Sequence, residues 1–297
     1  MLLAAAVVLL GAAPALGLAV GPRLDAIGAG TLPATWSNPL GAQLTRIADD
    51  VWLAERPFFP TLPGLGGVDV GGKMAVVRLP SGALWVHSPV ALDAPLAAAL
   101  AELGPVKHVV TPNTEHQKWA GAWLARYPDA VGFACPGLRE RKPEVGWSAT
   151  LGGARGLRAP PASWEGAVDF VHVEDRWPLG VRPGSFFDEV VFCHAPSRTL
   201  FCADLWWDYP SGAAAGGGDA PAPSTATRLW KFGMDFVYRP VYNRLMTTER
   251  SREAFARVLA LEFDAIAPCH GEILATGGKA ALARHLALAP PGSVQAA

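Results

Sequence analysis

The sequence predicts a layered α/β fold. Short apolar segments of strand length alternate with helical segments between residues 50 and 135, and this alternation is typical of α/β layers. A second run of strand-like residues forms a hairpin pattern around residue 196. The chain has 297 residues, 51% of them hydrophobic, with 11 Trp and 12 Phe, which is enough to bury one sizeable core.

The first part of the chain contains three predicted strands. Residues 23–50 show no clear period and are expected to form loops, whereas residues 50–54 are short and apolar and are predicted to be a strand. Residues 73–79 and 83–87 flank the turn sequence Pro80-Ser81-Gly82, which predicts a β-hairpin with a tight turn.

Helices and strands then alternate. Asp93 is a suitable N-cap and Gly104 a suitable stop, so a helix is predicted between them. An apolar strand at 106–110 follows, then a second helix that Pro128 ends, then a strand at 131–135. This β-α-β order is the main support for α/β layers.

The second half is less regular. Residues 136–187 are rich in Gly and Pro and are expected to be irregular, whereas residues 189–194 and 199–204 flank a four-residue turn and predict a β-hairpin. Residues 208–226 are a low-complexity insertion. The remaining predicted elements are helical segments at 228–247 and 249–261, a strand at 264–268 and a helix from Lys279.

The N-terminal residues 1–22 contain no charged side chain. They fit a cleavable export or organelle-targeting signal best; a single membrane anchor or a buried Ala-rich helix are the alternatives. Residues 23–297 are expected to form one domain. The net charge of −1 argues against a nucleic-acid binder, and the four cysteines have no C-x-x-C spacing that would indicate a zinc ribbon.

The hairpin around residue 196 places polar side chains at defined positions. With a four-residue turn, His194 faces Thr199 and Glu189 faces Asp204. Two opposed carboxylates repel each other, so we expect a cation, a shared proton or a basic neighbour between them, unless one points to solvent. His194 is expected to bond to the turn.

Two further histidines follow predicted strands. His116 lies in Thr111–Gln117, between a strand and a helix, where Thr114 and Gln117 fit a capping box. His270 comes directly after the strand at 264–268. The remaining histidines have no comparable partners and are expected to be structural: His87, His108, His172 and His285.

Several segments together carry a family resemblance. They are Met74–Gly82, Leu84–Pro89, Leu103–His108, Pro112-Asn113 with His116, Tyr127-Pro128, and Asp188–Leu200 with Asp204. The chain resembles the metallo-β-lactamase-like hydrolase superfamily and, more closely, its branch called domain of unknown function 4336. The resemblance implies a four-layer αββα sandwich with metals at one edge of two packed sheets.

The motifs of that superfamily are incomplete in this chain. Active members carry T-H-x-H-x-D-H, and Thr111–Gln117 fills this motif with Pro112 and Thr114 in place of the first two histidines. Ser185 replaces the histidine of the P-G-H turn. The resemblance therefore implies that one of two metal sites has lost its three histidines.

The other metal site keeps more of its ligands. The resemblance assigns metal ligation to His116, Asp204 and His270, with Gln117 as a poor fourth ligand and Glu189 as a further ligand or the catalytic general base. Two histidines with one or two carboxylates suit Zn²⁺, or Fe²⁺ or Mn²⁺ in a more open geometry.

Two functions follow from these residues. The first is a mononuclear metal-dependent hydrolase whose substrate the sequence does not specify. The second is a non-catalytic protein of the same fold that binds a small molecule or a protein partner, with structural remnants and no metal. Thiol chemistry at Cys193, Cys202 and Cys269 is a weaker third, because no neighbour in the sequence lowers a thiol pKa.

Overall fold

The computed structural model describes residues 24–59, 68–177, 184–210, 221–245 and 248–288. These residues form an eight-stranded and a four-stranded β-sheet. Apolar side chains from both sheets share one core, and helices cover the outer face of each sheet. The predicted αββα sandwich is therefore confirmed.

The larger sheet holds the first eight strands in chain order. They are β1 (Leu24–Ile27), β2 (Leu44–Ala48), β3 (Val51–Arg56), β4 (Gly72–Arg78), β5 (Leu84–His87), β6 (Val106–Val110), β7 (Val131–Ala134) and β8 (Trp147–Thr150). Neighbouring strands from β1 to β5 are antiparallel, and those from β5 to β8 are parallel.

The smaller sheet has the order β12-β11-β10-β9. Its strands are β9 (Val168–Arg176), β10 (Ser185–His194), β11 (Thr199–Cys202) and β12 (Ala265–Pro268). The pairs β9–β10 and β10–β11 are antiparallel, whereas β12 runs parallel to β11. Because of this parallel pairing, the chain leaves β11 and β12 at the same edge of the sheet.

Seven α-helices lie in the described part of the chain. They are α1 (Ala94–Leu103), α2 (Ala120–Arg126), α3 (Leu138–Arg141), α4 (Thr225–Gly233), α5 (Arg239–Leu245), α6 (Glu249–Ala260) and α7 (Gly278–His285). A π-helical turn, Met234–Tyr238, joins α4 to α5. It precedes Pro240, which lacks the N–H that a regular α-helix would use there.

Large aromatic side chains fill the space between the sheets. Trp85 on β5 and Phe192 on β10 are fully buried, with ring centroids 5.2 Å apart in an edge-to-face contact. Leu100 of α1 and Trp123 of α2 cover the outer face of the larger sheet, and Phe255 of α6 packs on the smaller sheet. The four layers thus follow from apolar faces that each need a partner.

Local signals predicted several elements correctly. Asp93 accepts a hydrogen bond from the Leu96 N–H at 2.8 Å and caps α1, which Gly104 ends. The β10–β11 hairpin has the predicted register, with His194 opposite Thr199. His194 bonds to Ser197 in the turn through Nδ1 and Oγ, 2.8 Å apart, as expected.

Two irregular regions were predicted wrongly. Residues 23–50 contain β1 and β2, and residues 136–187 contain β8 and the nine-residue strand β9. Charged residues interrupt the apolar pattern of β9, which both β10 and the neighbouring helix α6 stabilise. The tertiary contacts therefore outweigh the weak local pattern.

Other predictions fall partly or wholly outside the described residues. Residues 1–22 lie outside them, as do residues 211–220 within the predicted insertion 208–226. The end of that insertion, residues 221–226, is described and includes Ser224, the N-cap of α4. Among the helices of the described residues, none has the length and apolar composition to cross a membrane.

Candidate metal centre

Three polar side chains meet where three strands end. His116 lies six residues beyond the end of β6, Asp204 two residues beyond β11, and His270 two residues beyond β12. One ligand atom from each residue lies within 4.8 Å of the other two. The structure thus brings together the three residues that the sequence predicted as metal ligands.

The two imidazoles face one carboxylate oxygen. Oδ1 of Asp204 lies 3.6 Å from Nε2 of His116 and 3.9 Å from Nε2 of His270. The centroids of the two imidazole rings are 5.0 Å apart. Ligands of one ion bound at about 2.0–2.2 Å lie up to about 4.4 Å apart, so a small contraction would place all three around a single ion.

Hydrogen bonds orient each of the three side chains. Nδ1 of His270 lies 2.7 Å from the carbonyl oxygen of Gly71, so this nitrogen carries a proton and leaves the Nε2 lone pair for a ligand. Nδ1 of His116 lies 2.9 Å from Oγ of Ser88. The second oxygen of Asp204 accepts a hydrogen bond from the Asn113 amide at 2.6 Å. Partners of this kind fix ligand orientation in metal sites.

Ser88 takes an uncommon backbone conformation. Its φ is +53°, in the left-handed region, and its N–H donates to the carbonyl of Val110 at 2.9 Å. Non-glycine residues in this region cost free energy and are concentrated at functional sites. The sheet therefore holds Ser88 in place, and its hydroxyl stays within reach of His116.

The charges of the site are strongly coupled. Burial alone would lower the pKa of His116, but its interactions with Cys269 and with the carboxylate of Asp204 raise it well above its ordinary value. Burial and the charge on His116 lower the pKa of His270 to about 4. Although burial opposes it, the charges of His116 and His270 lower the pKa of Asp204. The carboxylate of Asp204 is thus anionic and the imidazole of His270 is neutral. The imidazole of His116 must lose a proton to bind an ion.

Asn113, rather than the predicted capping box, shapes the loop before α2. Its Oδ1 accepts hydrogen bonds from the backbone N–H groups of Glu115 and His116, at 3.0 and 2.9 Å. The helix begins only at Ala120, so Thr114 and Gln117 are too far from its start to cap it. The prediction of a capping box was therefore wrong.

Glu189 lies beside the site without joining the three ligands. Its fully buried carboxylate accepts hydrogen bonds from the N–H groups of Ala203 and Asp204, both at 2.7 Å, and of Leu205 at 3.1 Å. Burial and the charge of Asp204 raise its pKa, whereas the N–H bonds act against this rise.

The predicted opposition of Glu189 and Asp204 was wrong. The strand β11 ends at Cys202, so Asp204 has no cross-strand partner, and Glu189 pairs instead with Val173 of β9. Its carboxylate binds the backbone of the segment that carries Asp204. These contacts make Glu189 a positioning residue; its catalytic or ligand role stays a prediction.

The positions of the missing histidines hold no replacement ligand. Pro112 accepts a hydrogen bond from the Val190 N–H through its carbonyl, at 2.8 Å. Ser185 donates through Oγ to Glu174, 3.1 Å away, on the neighbouring strand. Among the described residues, His116, Asp204 and His270 are the one cluster with metal-binding geometry.

The other histidines do not join the cluster, although His172 has a carboxylate partner that the sequence did not indicate. His87 is buried against Trp85, and burial lowers its pKa to about 3. His172 accepts from the Gly153 N–H and lies 2.8 Å from Asp188, a pair with no third ligand. Burial also lowers the pKa of His285 to about 3.

Several residues of the site were not predicted from the sequence. Ser88 orients His116, Gly71 orients His270 and Asn113 orients Asp204, yet nothing in the sequence pairs these residues. Glu115, which precedes His116, is only partly buried; this partial burial and the charge of Asp204 raise its pKa. Cys269 was weighed only as a nucleophile, but its thiol contacts the site and lies 4.0 Å from Nδ1 of His87.

A cavity of about 340 Å³ opens onto the two histidines. Its apolar walls include Phe58, Val90 and Trp119, whereas Lys73 and Arg56 contribute positive charge. Lys73 is buried, and its ammonium donates to the carbonyl of Gly271. A cavity of this size, with few polar groups beside a reactive cluster, is typical of small-molecule sites.

Solved structures share the fold of this chain at low identity. The metal-soaked Flv1 flavodiiron core from Synechocystis sp. PCC6803 is 13% identical with a TM-score of 0.54; the match covers 82% of this chain and 60% of that one. A diflavin flavoprotein fragment from Nostoc sp. PCC 7120 is 14% identical (TM-score 0.53, covering 82% and 93%), and the DIM-1 metallo-β-lactamase is 15% identical (TM-score 0.51, covering 82% and 93%). The chain thus has the metallo-β-lactamase fold.

Sequence comparison points to one family. No curated protein matches the chain. The family described as Domain of unknown function (DUF4336) matches residues 49–215, more than half of the chain, including His116 and Asp204. The chain therefore belongs to the DUF4336 family.

Proposed function

We propose that this protein is a mononuclear metal-dependent hydrolase. The observation that carries the proposal is the convergence of His116, Asp204 and His270, which present two Nε2 atoms and one carboxylate oxygen to the same point. Two histidines and one carboxylate form the protein ligand set of several catalytic zinc and iron sites, in which further positions stay open for water and substrate.

The surroundings of these donors fit a divalent ion. A hydrogen bond orients each donor, between Ser88 and His116, from His270 to Gly71 and from Asn113 to Asp204. Zinc, iron and manganese all accept this donor set. When bound, such an ion supplies Lewis acidity and an acidic bound water for hydrolysis.

Three acidic residues have separate roles in the proposed site. Asp204 keeps its negative charge because its pKa is lowered, and it offsets the charge of an ion. Glu115 lines the cavity beside His116, and its raised pKa suits a group that takes and returns a proton. We therefore propose Glu115 as the general base, with Glu189 holding the backbone of Asp204.

The cavity favours one class of substrate. Its apolar walls would bury a hydrocarbon or aromatic body, and Lys73 and Arg56 would attract a carboxylate or a phosphate. An ester or amide of an amphiphilic anion would therefore place its reacting carbonyl near the two histidines.

A second function fits one specific observation. The positions of three histidines of the other metal site in active members of the superfamily that the chain resembles are filled by Pro112, Thr114 and Ser185. A descendant that binds a small molecule without hydrolysing it needs no more than the cavity and its cations.

Metal analysis of the purified full chain tests the first proposal. After growth with zinc, iron and manganese supplied, we expect about one equivalent of metal per chain. Asp204→Ala and His270→Ala should lose that metal. The matched control His172→Ala removes another His–carboxylate pair, 2.8 Å apart, and should keep it.

Each outcome decides between the two functions. Absence of metal from the parent protein under all three supplies would refute the hydrolase proposal. Metal that is bound without turnover of any carboxylate-bearing ester would support the metal site and count against the hydrolase activity. Metal-dependent turnover that Glu115→Gln abolishes while metal content stays unchanged would support the hydrolase with its proposed base.

A further inference from the structure

The segment 225–245 is apolar on both of its long faces. It comprises α4, the π-helical turn and α5. On its inner face, Trp230 and Met234 pack against Trp207, and Tyr242 lies in the core of the outer layer. A helix that covers a core normally has a polar face on the side away from that core. The outer face is therefore expected to have a partner.

The outer face is an exposed apolar ridge. Five large side chains on it are each more than half exposed, and Phe236 reaches 69%. They are Leu229, Phe232, Phe236, Val237 and Val241. Phe232 and Phe236 pack on each other with ring centroids 4.9 Å apart. Exposed patches on the order of a few hundred Å² mark interaction sites in proteins.

The charges around this ridge are positive. Segment 225–245 has four basic residues and one acidic residue, in a chain whose net charge is −1. The acidic residue, Asp235, is already paired with Lys231 at 2.6 Å and Arg239 at 3.0 Å, and its side chain is 13% exposed. Arg228 and Arg244 are exposed near the two ends of the segment.

We propose that this ridge docks on an anionic lipid surface. Aromatic and aliphatic side chains flanked by arginines are the pattern of interfacial helices, which bury the apolar face at the headgroup boundary and attract anionic lipids. A second copy of the chain is a poorer partner. In an antiparallel pair Arg228 would meet Arg244 of the other copy, and in a parallel pair each arginine would meet its equivalent, with no acidic side chain of the segment available to compensate.

A separate part of the sequence points to a bilayer as well. Residues 1–22 carry no charged side chain, and the sequence predicts an export signal or an anchor there. Of these two, an anchor would hold the ridge next to a bilayer, whereas a cleaved signal would only carry the chain across one. The docking proposal does not depend on the hydrolase proposal, because the ridge and the metal ligands share no residue.

Vesicle flotation of the full chain tests the ridge. We expect binding to phosphatidylcholine vesicles that contain phosphatidylglycerol, and weaker binding to phosphatidylcholine alone. The double variant Phe232→Ser/Phe236→Ser should bind on the order of tenfold more weakly. Arg228→Gln/Arg244→Gln should lose roughly fivefold per arginine on the anionic vesicles only. Leu157→Ser, which alters an exposed apolar residue elsewhere, is the matched control.

The parent and all variants share the same N-terminal sequence, and intact-mass measurement shows whether each retains residues 1–22, so differences between matched samples report on the ridge. Hydroxyl-radical footprinting of the parent protein gives an independent measurement. We expect oxidation of Phe232 and Phe236 to fall several-fold on anionic vesicles, while Leu157 stays unchanged. Equal flotation of parent and double variant, together with unchanged oxidation of Phe232 and Phe236 on anionic vesicles, would overturn the proposal. Protection of both phenylalanines without vesicles would also overturn it. Constant protection would indicate a covering segment of the same chain, and protection that rises with protein concentration would indicate a second copy.

Discussion

Glu189 is bonded to the backbone of Asp204. The Asp204 N–H donates to Oε2 of Glu189 at 2.7 Å, and the same carboxylate accepts from Ala203 and Leu205. Because the strand β11 ends at Cys202, these three N–H groups have left the sheet ladder, and Glu189 replaces their partners. A residue of the core thus fixes the position of a candidate metal ligand.

We predict that Glu189→Gln destabilises the protein. The NH₂ group of glutamine donates hydrogen bonds and cannot accept them. The N–H of Ala203 bonds to one carboxylate oxygen and those of Asp204 and Leu205 to the other, so at least one buried donor loses its acceptor. We expect the free energy of unfolding to fall by about 1–3 kcal/mol in urea titrations. Glu165→Gln is the control, because its exposed carboxylate accepts one N–H bond, from Ser81 at 2.8 Å; its effect should stay within about 0.5 kcal/mol.

The same variant tests the catalytic role that the sequence suggested for Glu189. If Glu189→Gln keeps its stability and its metal but loses turnover, Glu189 is the base and the positioning role is wrong.

Metal affinity should depend on the hydroxyl of Ser88. We predict that Ser88→Ala weakens metal binding about tenfold or more, because the His116 ring loses the bond that orients it. The measurement is competition with a metal-binding dye. Ser197→Ala removes an equivalent bond, 2.8 Å from Oγ to Nδ1 of His194, outside the site, and should leave the affinity unchanged. Equal affinities of Ser88→Ala and the parent would show that the ring is held by packing instead.

The sequence predicted the parts of the fold that depend on neighbouring residues. The cap at Asp93 and the hairpin register at His194 each depend on side chains within a few positions. The family resemblance supplied His116, Asp204 and His270 as a set. The strand β9 was missed, because its support comes from β10 and α6, which follow it in the sequence.

The orienting contacts of the site could not be predicted for the same reason. His270 bonds to Gly71, 199 residues earlier, and Asp204 bonds to Asn113, 91 residues earlier. Such contacts depend on how the two sheets pack, and no local pattern reports them. The predicted strand continued two residues beyond the end of β11. It therefore placed the side chains of Glu189 and Asp204 opposite each other, whereas the Glu189 carboxylate bonds to the Asp204 backbone.

Acid should destabilise the protein through His87. Burial lowers its pKa from 6.5 to about 3, so between these values the unfolded chain binds a proton that the folded chain does not. The free energy of unfolding therefore falls as the pH falls below 6.5, by about 1.4 kcal/mol per pH unit for this residue, and the loss levels off near pH 3. Above pH 6.5 the residue has no effect on the slope.

His87→Phe should reduce this acid sensitivity. Phenylalanine keeps the ring that stacks on Trp85 and has no proton to bind. Comparing urea unfolding at about pH 7.5 and about pH 5, we expect the variant to lose about 2 kcal/mol less than the parent. Phe201→Leu, in the same aromatic cluster, should lower stability equally at both pH values. An unchanged pH dependence in His87→Phe would show that His87 is already protonated in the folded protein.

Gly271 should be intolerant of any side chain. It follows His270, has a φ of +86°, and a Cβ there would lie 2.4 Å from the carbonyl oxygen of Asp208. The backbone of Asp208 cannot yield easily, because its carbonyl also accepts from the Glu272 N–H at 2.7 Å. Gly82 has almost the same φ, +85°, with no atom within 4 Å of a Cβ, and is therefore a matched control.

We predict that Gly82→Ala costs about 1–2 kcal/mol of unfolding free energy, which is the conformational penalty alone. Gly271→Ala should cost clearly more, because the clash with Asp208 adds to that penalty, and it should also weaken metal binding by displacing His270. Urea titration and metal competition measure the two effects. If both alanine variants lose the same stability and keep the metal, the contact between Gly271 and Asp208 does not hold His270 in place.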